Sequence, residues 1–361
     1  MVLAHACGLS AVACVLAAVV HPSVNTVRQR LREWYQPATA KPGRGRTEVD
    51  PTTCCGPLVR WITGGWAERR VALALDVTNL GDRFHVLTAA VVYRGCAIPV
   101  AWAILPAGIK DPWNPHWGRL LDRVAAALGV GWTVLVLTDR GLESAELFRA
   151  ITRRGWHPLM RVKAAGSFRP AGWHAFHALK SFAAREGTRF AATGTAYKTA
   201  PLACTLLACR VAGCADPWLV LTDLPPSAAN PCWYALRSWI EQGFKVFKRG
   251  GWQWQRTRMT DPARAERLWV VLAVATLWLV EVGRVRAAGG DGAVVSDDGF
   301  AAVAPAVSDR AGADRGGVVA WRGSVRTVCP RTVAHPGPHP ALVGERVHTV
   351  DLPLKGPLDA W

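Results

Sequence analysis

Acidic residues are scarce in this 361-residue chain: 26 Asp and Glu stand against 43 Lys and Arg, for a formal charge of +17. Only 19% of residues are charged, whereas half are apolar. A chain of this length can bury a full core, and its composition excludes an intrinsically disordered polyelectrolyte. Long apolar runs are also missing. Leu268 to Val280 is strongly apolar but too short to cross a bilayer, so it reads as a buried helix and no membrane partner is expected. Met1 to Pro22 holds no Lys, Arg, Asp or Glu. It lacks the positively charged start of a secretory signal and suits a packed helix. Ten cysteines include no C-x2-C pair, and Cys204, Cys209 and Cys214 recur every five residues, a spacing unlike that of zinc sites. Reduced thiols are the expectation.

The positive charge is unevenly placed. Residues 287–361 hold seven basic and eight acidic side chains, which leaves 36 against 18 in residues 1–286. A structured region this basic suits a polyanion, most simply nucleic acid. The tail is rich in Gly, Ala, Val and Pro without a steady apolar period, and poor order is expected there.

Three regions follow from the pattern. Residues 1–69 read as a small, basic, helical N-terminal region, with Ser23 capping a helix over 24–35. From residue 70 the β-rich runs 71–77, 84–93 and 96–105 are joined by short turns and suggest antiparallel neighbours. A helix over 117–128, a continuous apolar strand over 133–138, a helix over 144–154 and a strand over 157–162 follow. This α/β order is that of a ribonuclease-H-like core. Residues 164–229 read as a β-rich insertion between the last core strand and a helix that carries Glu241, and a long helix starts after Asp261. The core so drawn spans 70–286.

That motif helix is the most informative segment. Tyr234, Arg237, Glu241 and Lys248 stand in a Y-x2-R-x3-E-x6-K spacing. On a regular helix they fall at about 0°, 300°, 340° and 320°, on one stripe. Asn230 can cap the helix, Pro231 suits its first position and Gly250-Gly251 closes it. A basic and acidic stripe is ordinarily a solvated face. Two further carboxylates change that. Asp76 lies inside the first strand, opposite in parity to Leu73, Leu75 and Val77, and Asp139 ends the strand 133–138, where open α/β sheets present groups to ligands. Three carboxylates drawn from two strands and a helix can supply hard oxygens to a pair of divalent ions about 3.5–4 Å apart. Trp252 and Trp254 follow the motif and suit core packing better than base stacking; Trp173 and Trp218 lie in the insertion.

Together these residues resemble the DDE transposases of bacterial insertion sequences, in the insertion-sequence-4 branch with its Y-R-E-K motif. The resemblance spans about residues 70–286. It implies that Asp76, Asp139 and Glu241 are catalytic and hold two Mg²⁺ ions, or Mn²⁺ in their place, with Asp76 bridging both. It implies that Arg237 and Lys248 hold phosphates of the element end and that Tyr234 contacts the terminal phosphate near the cut. Double-stranded DNA, the terminal inverted repeats and target DNA are the implied partners, bound by a homodimer on paired ends, in the cytoplasm and associated with the nucleoid. A metal-dependent nuclease or resolvase on the same fold, and an inactive transposase-derived DNA-binding protein, are the alternatives.

Overall fold

The computed structural model describes residues 1–109, 112–210 and 216–289. The expectation of a poorly ordered tail falls almost wholly on residues 290–361, outside the described ones.

Its frame is a ten-stranded mixed sheet flanked by helices. Strands β1 (Arg70–Leu80), β2 (Phe84–Tyr93) and β3 (Cys96–Pro106) form an antiparallel meander. Helix α4 (Asn114–Leu128) then crosses to β4 (Thr133–Thr138), and α5 (Ala145–Thr152) crosses to β5 (His157–Arg161). Both β1–β4 and β4–β5 are parallel pairs. The segment read as an insertion supplies β6 (Ser167–Pro170), β7 (His177–Ala178), β8 (Arg189–Ala196), β9 (Leu202–Cys209) and β10 (Trp218–Thr222). It extends the same sheet: β10 lies antiparallel to β5, and the order is β3-β2-β1-β4-β5-β10-β9-β8-β6-β7.

The period-two rule sorts the central strands between two cores. Leu73, Leu75, Val134 and Val136 belong to one cluster, with α3 (Cys55–Thr63), α4, α5 and α7 (Pro262–Gly289). Ala72, Ala74, Leu135 and Leu137 belong to the other, beneath Tyr234, Leu236 and Ile240. Asp76 shares parity with Ala72 and Ala74 and therefore faces the motif segment. The small side chains on that face let the segment lie close. At Gly243, on α6 (Ser238–Lys245), an added Cβ would stand 2.8 Å from the carbonyl oxygen of Ala97, nearer than carbon can approach.

The motif segment departs from the regular helix that its spacing suggests. Pro231–Arg237 is a 3₁₀ helix, Ser238–Lys245 is α-helical and Val246–Gly250 is a π turn. Asn230 caps it, its side chain accepting from Cys232 N at 2.9 Å. The 3₁₀ stretch turns each residue by about 120° rather than 100°, so the single stripe drawn on an α-helix does not describe Tyr234 and Arg237.

At the N-terminus, α1 (Leu9–Val20) and α2 (Val24–Tyr35) pack as a helical hairpin on Ala13, Ala17 and Val27. Ser23 caps α2 as its position suggests, accepting from Thr26 N at 3.2 Å. Arg267 of α7 pins this region to the core. Its guanidinium donates to the Tyr35 and Val49 carbonyls and to Glu48. Asp261 starts α7 by accepting from Arg264 N at 3.1 Å.

Candidate active site

The C-terminal end of β4 and the inner part of β1 deliver two aspartates to one place, because the strands are parallel and in register from Arg70↔Thr133 to Leu75↔Thr138. Asp76 and Asp139 follow as the next residues on each. Each aspartate spends one oxygen on the backbone. Oδ1 of Asp76 accepts from Val77 N at 2.8 Å, and Oδ1 of Asp139 accepts from Gly141 N at 2.9 Å and Leu142 N at 3.2 Å, capping a short 3₁₀ turn.

The two Oδ2 atoms meet at the same cation. Arg237 Nη2 lies 2.8 Å from Oδ2 of Asp76 and 3.9 Å from Oδ2 of Asp139, and Nη1 lies 3.8 Å from Oε1 of Glu241. The structure thus gathers Asp76, Asp139 and Glu241 around the Arg237 guanidinium. They differ in setting: side-chain exposure is 13% for Asp76, 42% for Asp139 and 64% for Glu241. Burial pushes the Asp76 carboxyl up to about 6; Arg237 pulls it down, and the nearby Asp139 pushes it up again. The solvent-facing role open to a lone aspartate on a strand is therefore excluded for Asp76.

Arg237 itself is buried, and its Nε and Nη1 have no hydrogen-bond partner. Buried donors in this state are costly unless a ligand engages them. Tyr234 lies behind it, 5% exposed, with the Trp218 ring centroid 5.8 Å away. Burial raises its phenol to about 12, against the pull of Arg237 and Arg161. Lys248 stands farther along, half-buried on the π turn. Trp252 and Trp254 are core residues, 2% and 0% exposed.

Arg161 is the site residue that the sequence does not announce. It ends β5 next to the Asp139 position, since Thr138 pairs with Met160. Its guanidinium hydrogen-bonds the Tyr234 hydroxyl and lies 5.9 Å from that ring's centroid, and its Nε is buried without an acceptor. Only the register of two parallel strands reveals this placement; no local motif marks it.

Three carboxylates offer the hard oxygens that Mg²⁺ or Mn²⁺ prefers, and each aspartate keeps one oxygen clear of the backbone. The donor chemistry fits such an ion. As they stand, no three acidic, His or Cys side chains among the described residues are grouped to hold one ion, and a guanidinium takes the shared position.

The family model of the transposase DDE domain matches residues 81–278. The matched span contains Asp139, Tyr234, Arg237, Glu241 and Lys248, and begins five residues after Asp76. No curated protein matches the chain. A cryo-EM structure of the piggyBac transposase synaptic complex with hairpin DNA aligns over 64% of this chain and 51% of its own, with 10% identity and a TM-score of 0.40. The chain thus spans about half of that transposase's length, and the likeness is too loose to bear on mechanism.

Proposed function

The chain belongs to the transposase DDE-domain family, and on that premise we propose that it is a DNA transposase that cuts phosphodiester bonds at element ends and joins the 3′-hydroxyls to target DNA. The observation that carries this reading is the convergence of Asp76, Asp139 and Glu241, remote in sequence, on one guanidinium. The catalytic core is ribonuclease-H-like, with the sheet extension β6–β10 inserted before the motif segment. The Y-R-E-K spacing of Tyr234, Arg237, Glu241 and Lys248 supports assigning the chain to the insertion-sequence-4 branch.

Asp76, Asp139 and Glu241 would hold two Mg²⁺ or Mn²⁺ ions. Bound there, the ions supply the positive charge that activates an attacking oxygen and stabilises a leaving one. The protein's own part is positioning. The Arg237 fork, with Nε and Nη1 unsatisfied, can take two phosphate oxygens at once. Lys248 supplies a point charge to the same strand. Tyr234, held by Arg161, backs this fork and reaches the terminal phosphate only after the site rearranges, since it is buried in the DNA-free protein.

Duplex DNA would also engage residues 1–69. Asn25, Arg28, Gln29 and Arg32 all face outward on α2. Residue types of this kind read bases and phosphates from a groove-lying helix. Two copies, each on one inverted repeat, would pair the ends, in the cytoplasm on nucleoid DNA.

The test uses a labelled duplex carrying the inverted repeats that flank the gene, with a supercoiled target plasmid and Mg²⁺. Nicked ends followed by label joined to the plasmid are expected. Absence of cutting in both Mg²⁺ and Mn²⁺ would contradict the proposal. Cutting without joining would reduce it to a nuclease.

A further inference from the structure

We infer that Arg237 is the resident cation of the acidic site in the DNA-free protein, and that divalent ions bind there at full strength only once a DNA phosphate has drawn this guanidinium off Asp76. The inference rests on the proposed metal-dependent reading of the site and adds its regulation: metal loading and DNA loading become one coupled event.

Geometry supplies the first support. Oδ2 of Asp76 and Oδ2 of Asp139 are the oxygens left over from backbone hydrogen bonds, and both are turned to Arg237 Nη2, at 2.8 and 3.9 Å. The atoms best placed to ligate an ion are those that the guanidinium engages. A dication entering between the aspartates would stand within a few ångströms of a fixed positive charge, in a setting where Asp76 is largely removed from water. At such distances the repulsion between the charges is strong.

The second support is what the guanidinium lacks. Nε and Nη1 are buried and donate to nothing, and Glu241 at 3.8 Å is beyond hydrogen-bond reach of Nη1. Arg237 is attracted to the carboxylates but poorly satisfied by them. A phosphodiester, accepting two parallel N–H bonds, would satisfy it better. The side chain leaves from the junction of the 3₁₀ and α-helical turns, so a change of its rotamers relocates the charge without unfolding either.

Charge balance is the third. Three carboxylates and one guanidinium leave a net charge that one divalent ion neutralises; a second ion makes the cluster positive until a phosphate arrives. Holding Arg237 in the cluster therefore keeps an unloaded enzyme from assembling its reactive site away from DNA.

The experiment measures Mn²⁺ binding by the full chain from the signal of free Mn²⁺ in electron paramagnetic resonance, at pH 8, with and without a duplex of the element end. Wild type should bind Mn²⁺ weakly alone and at least tenfold more tightly with the duplex. Arg237→Gln should bind at least tenfold more tightly than wild type without DNA and gain little from the duplex, although it loses cleavage. Arg237→Met, of similar volume, carries the same expectation should the Gln variant fail to fold by circular dichroism. Binding by the folded variants that is equal to or weaker than wild type, or wild-type binding indifferent to the duplex, would overturn the inference and leave the metal reading standing. Failure of wild type to bind Mn²⁺ in either state, or binding unchanged in Asp76→Asn, would overturn the metal reading itself.

Discussion

Arg237 and Arg267 are both about 95% buried, yet their surroundings are opposite. Arg267 is saturated: three nitrogens donate to the Tyr35 and Val49 carbonyls and to Glu48, which lie far from it in sequence. Arg237 is placed among three carboxylates with two nitrogens idle. A saturated buried guanidinium is a structural staple. One held through a single nitrogen, with donors to spare, is a group between partners, and on the proposed function it is where a phosphate would dock.

The sharpest way to break this contrast is to remove each arginine in turn. Arg267→Met leaves the part-buried Tyr35 and Val49 carbonyls and Glu48 without their donor and should destabilise the fold by about 1–3 kcal/mol, read from urea unfolding, with Mn²⁺ binding unchanged for the folded fraction. Arg237→Met relieves two unsatisfied buried nitrogens but leaves the Asp76 carboxylate without its cation, so its cost should depend on pH: about 1–3 kcal/mol at pH 8 and less than about 1 kcal/mol near pH 4, where Asp76 is protonated. A loss equal to that of Arg267→Met and indifferent to pH would show that both are staples.

Gly243→Ala probes how closely the motif segment must sit. The new methyl would meet the Ala97 carbonyl at 2.8 Å, so α6 must lift. A loss of about 1–3 kcal/mol in thermal unfolding is expected, with a fall in cleavage larger than the fall in folded protein. Normal stability and cleavage would mean that this approach does not set the site.

Asp76 makes the comparison pH-dependent. Its folded carboxyl titrates at about 6, against 3.8 when free of the fold. Between those values the folded chain holds a proton that the unfolded chain does not. The contribution of this group to stability is therefore highest below about pH 4, falls as pH rises to about 6 and is flat above. Without divalent ions, Asp76→Asn should melt above wild type at pH 8 by an amount worth up to about 3 kcal/mol, with the gap closing towards pH 4. A gap that is constant with pH would remove the burial argument.

The smallest effect concerns α2. Replacing Arg28 or Arg32 with Gln should lower the slope of duplex affinity against salt by about one unit for each phosphate that the helix no longer engages. An unchanged slope in both variants would place the duplex elsewhere.

Much of the frame is legible in sequence because buried strands advertise themselves. The apolar strand read over 133–138 is β4 to the residue, so Asp139 at its end is visible as a candidate. Asp76 shows through parity alone. The short strands towards the sheet's far end leave no such trace: Ser167–Pro170 and His177–Ala178 are too brief for alternation, and only pairing with neighbours makes them strands. The motif spacing singles out Arg237 and Glu241, which the fold brings to the aspartates, for a reason it does not fully contain, because a 3₁₀ turn rather than a uniform helix delivers Arg237. Arg161 is invisible for a related reason. Its place is created by the β4–β5 register, a property of two segments separated by a whole helix.

If Asp76, Asp139 and Glu241 act together on a phosphodiester bond, loss of any one charge should stop the reaction. Single-turnover cleavage of the end duplex in Mg²⁺ decides this when wild type is compared with Asp76→Asn, Asp139→Asn and Glu241→Gln. Each amide keeps the shape and removes the charge, so each variant should lose at least about a thousand-fold in rate, while gel-shift affinity for the duplex stays within a few-fold of wild type. Cleavage at the wild-type rate by any one of the three would contradict the account.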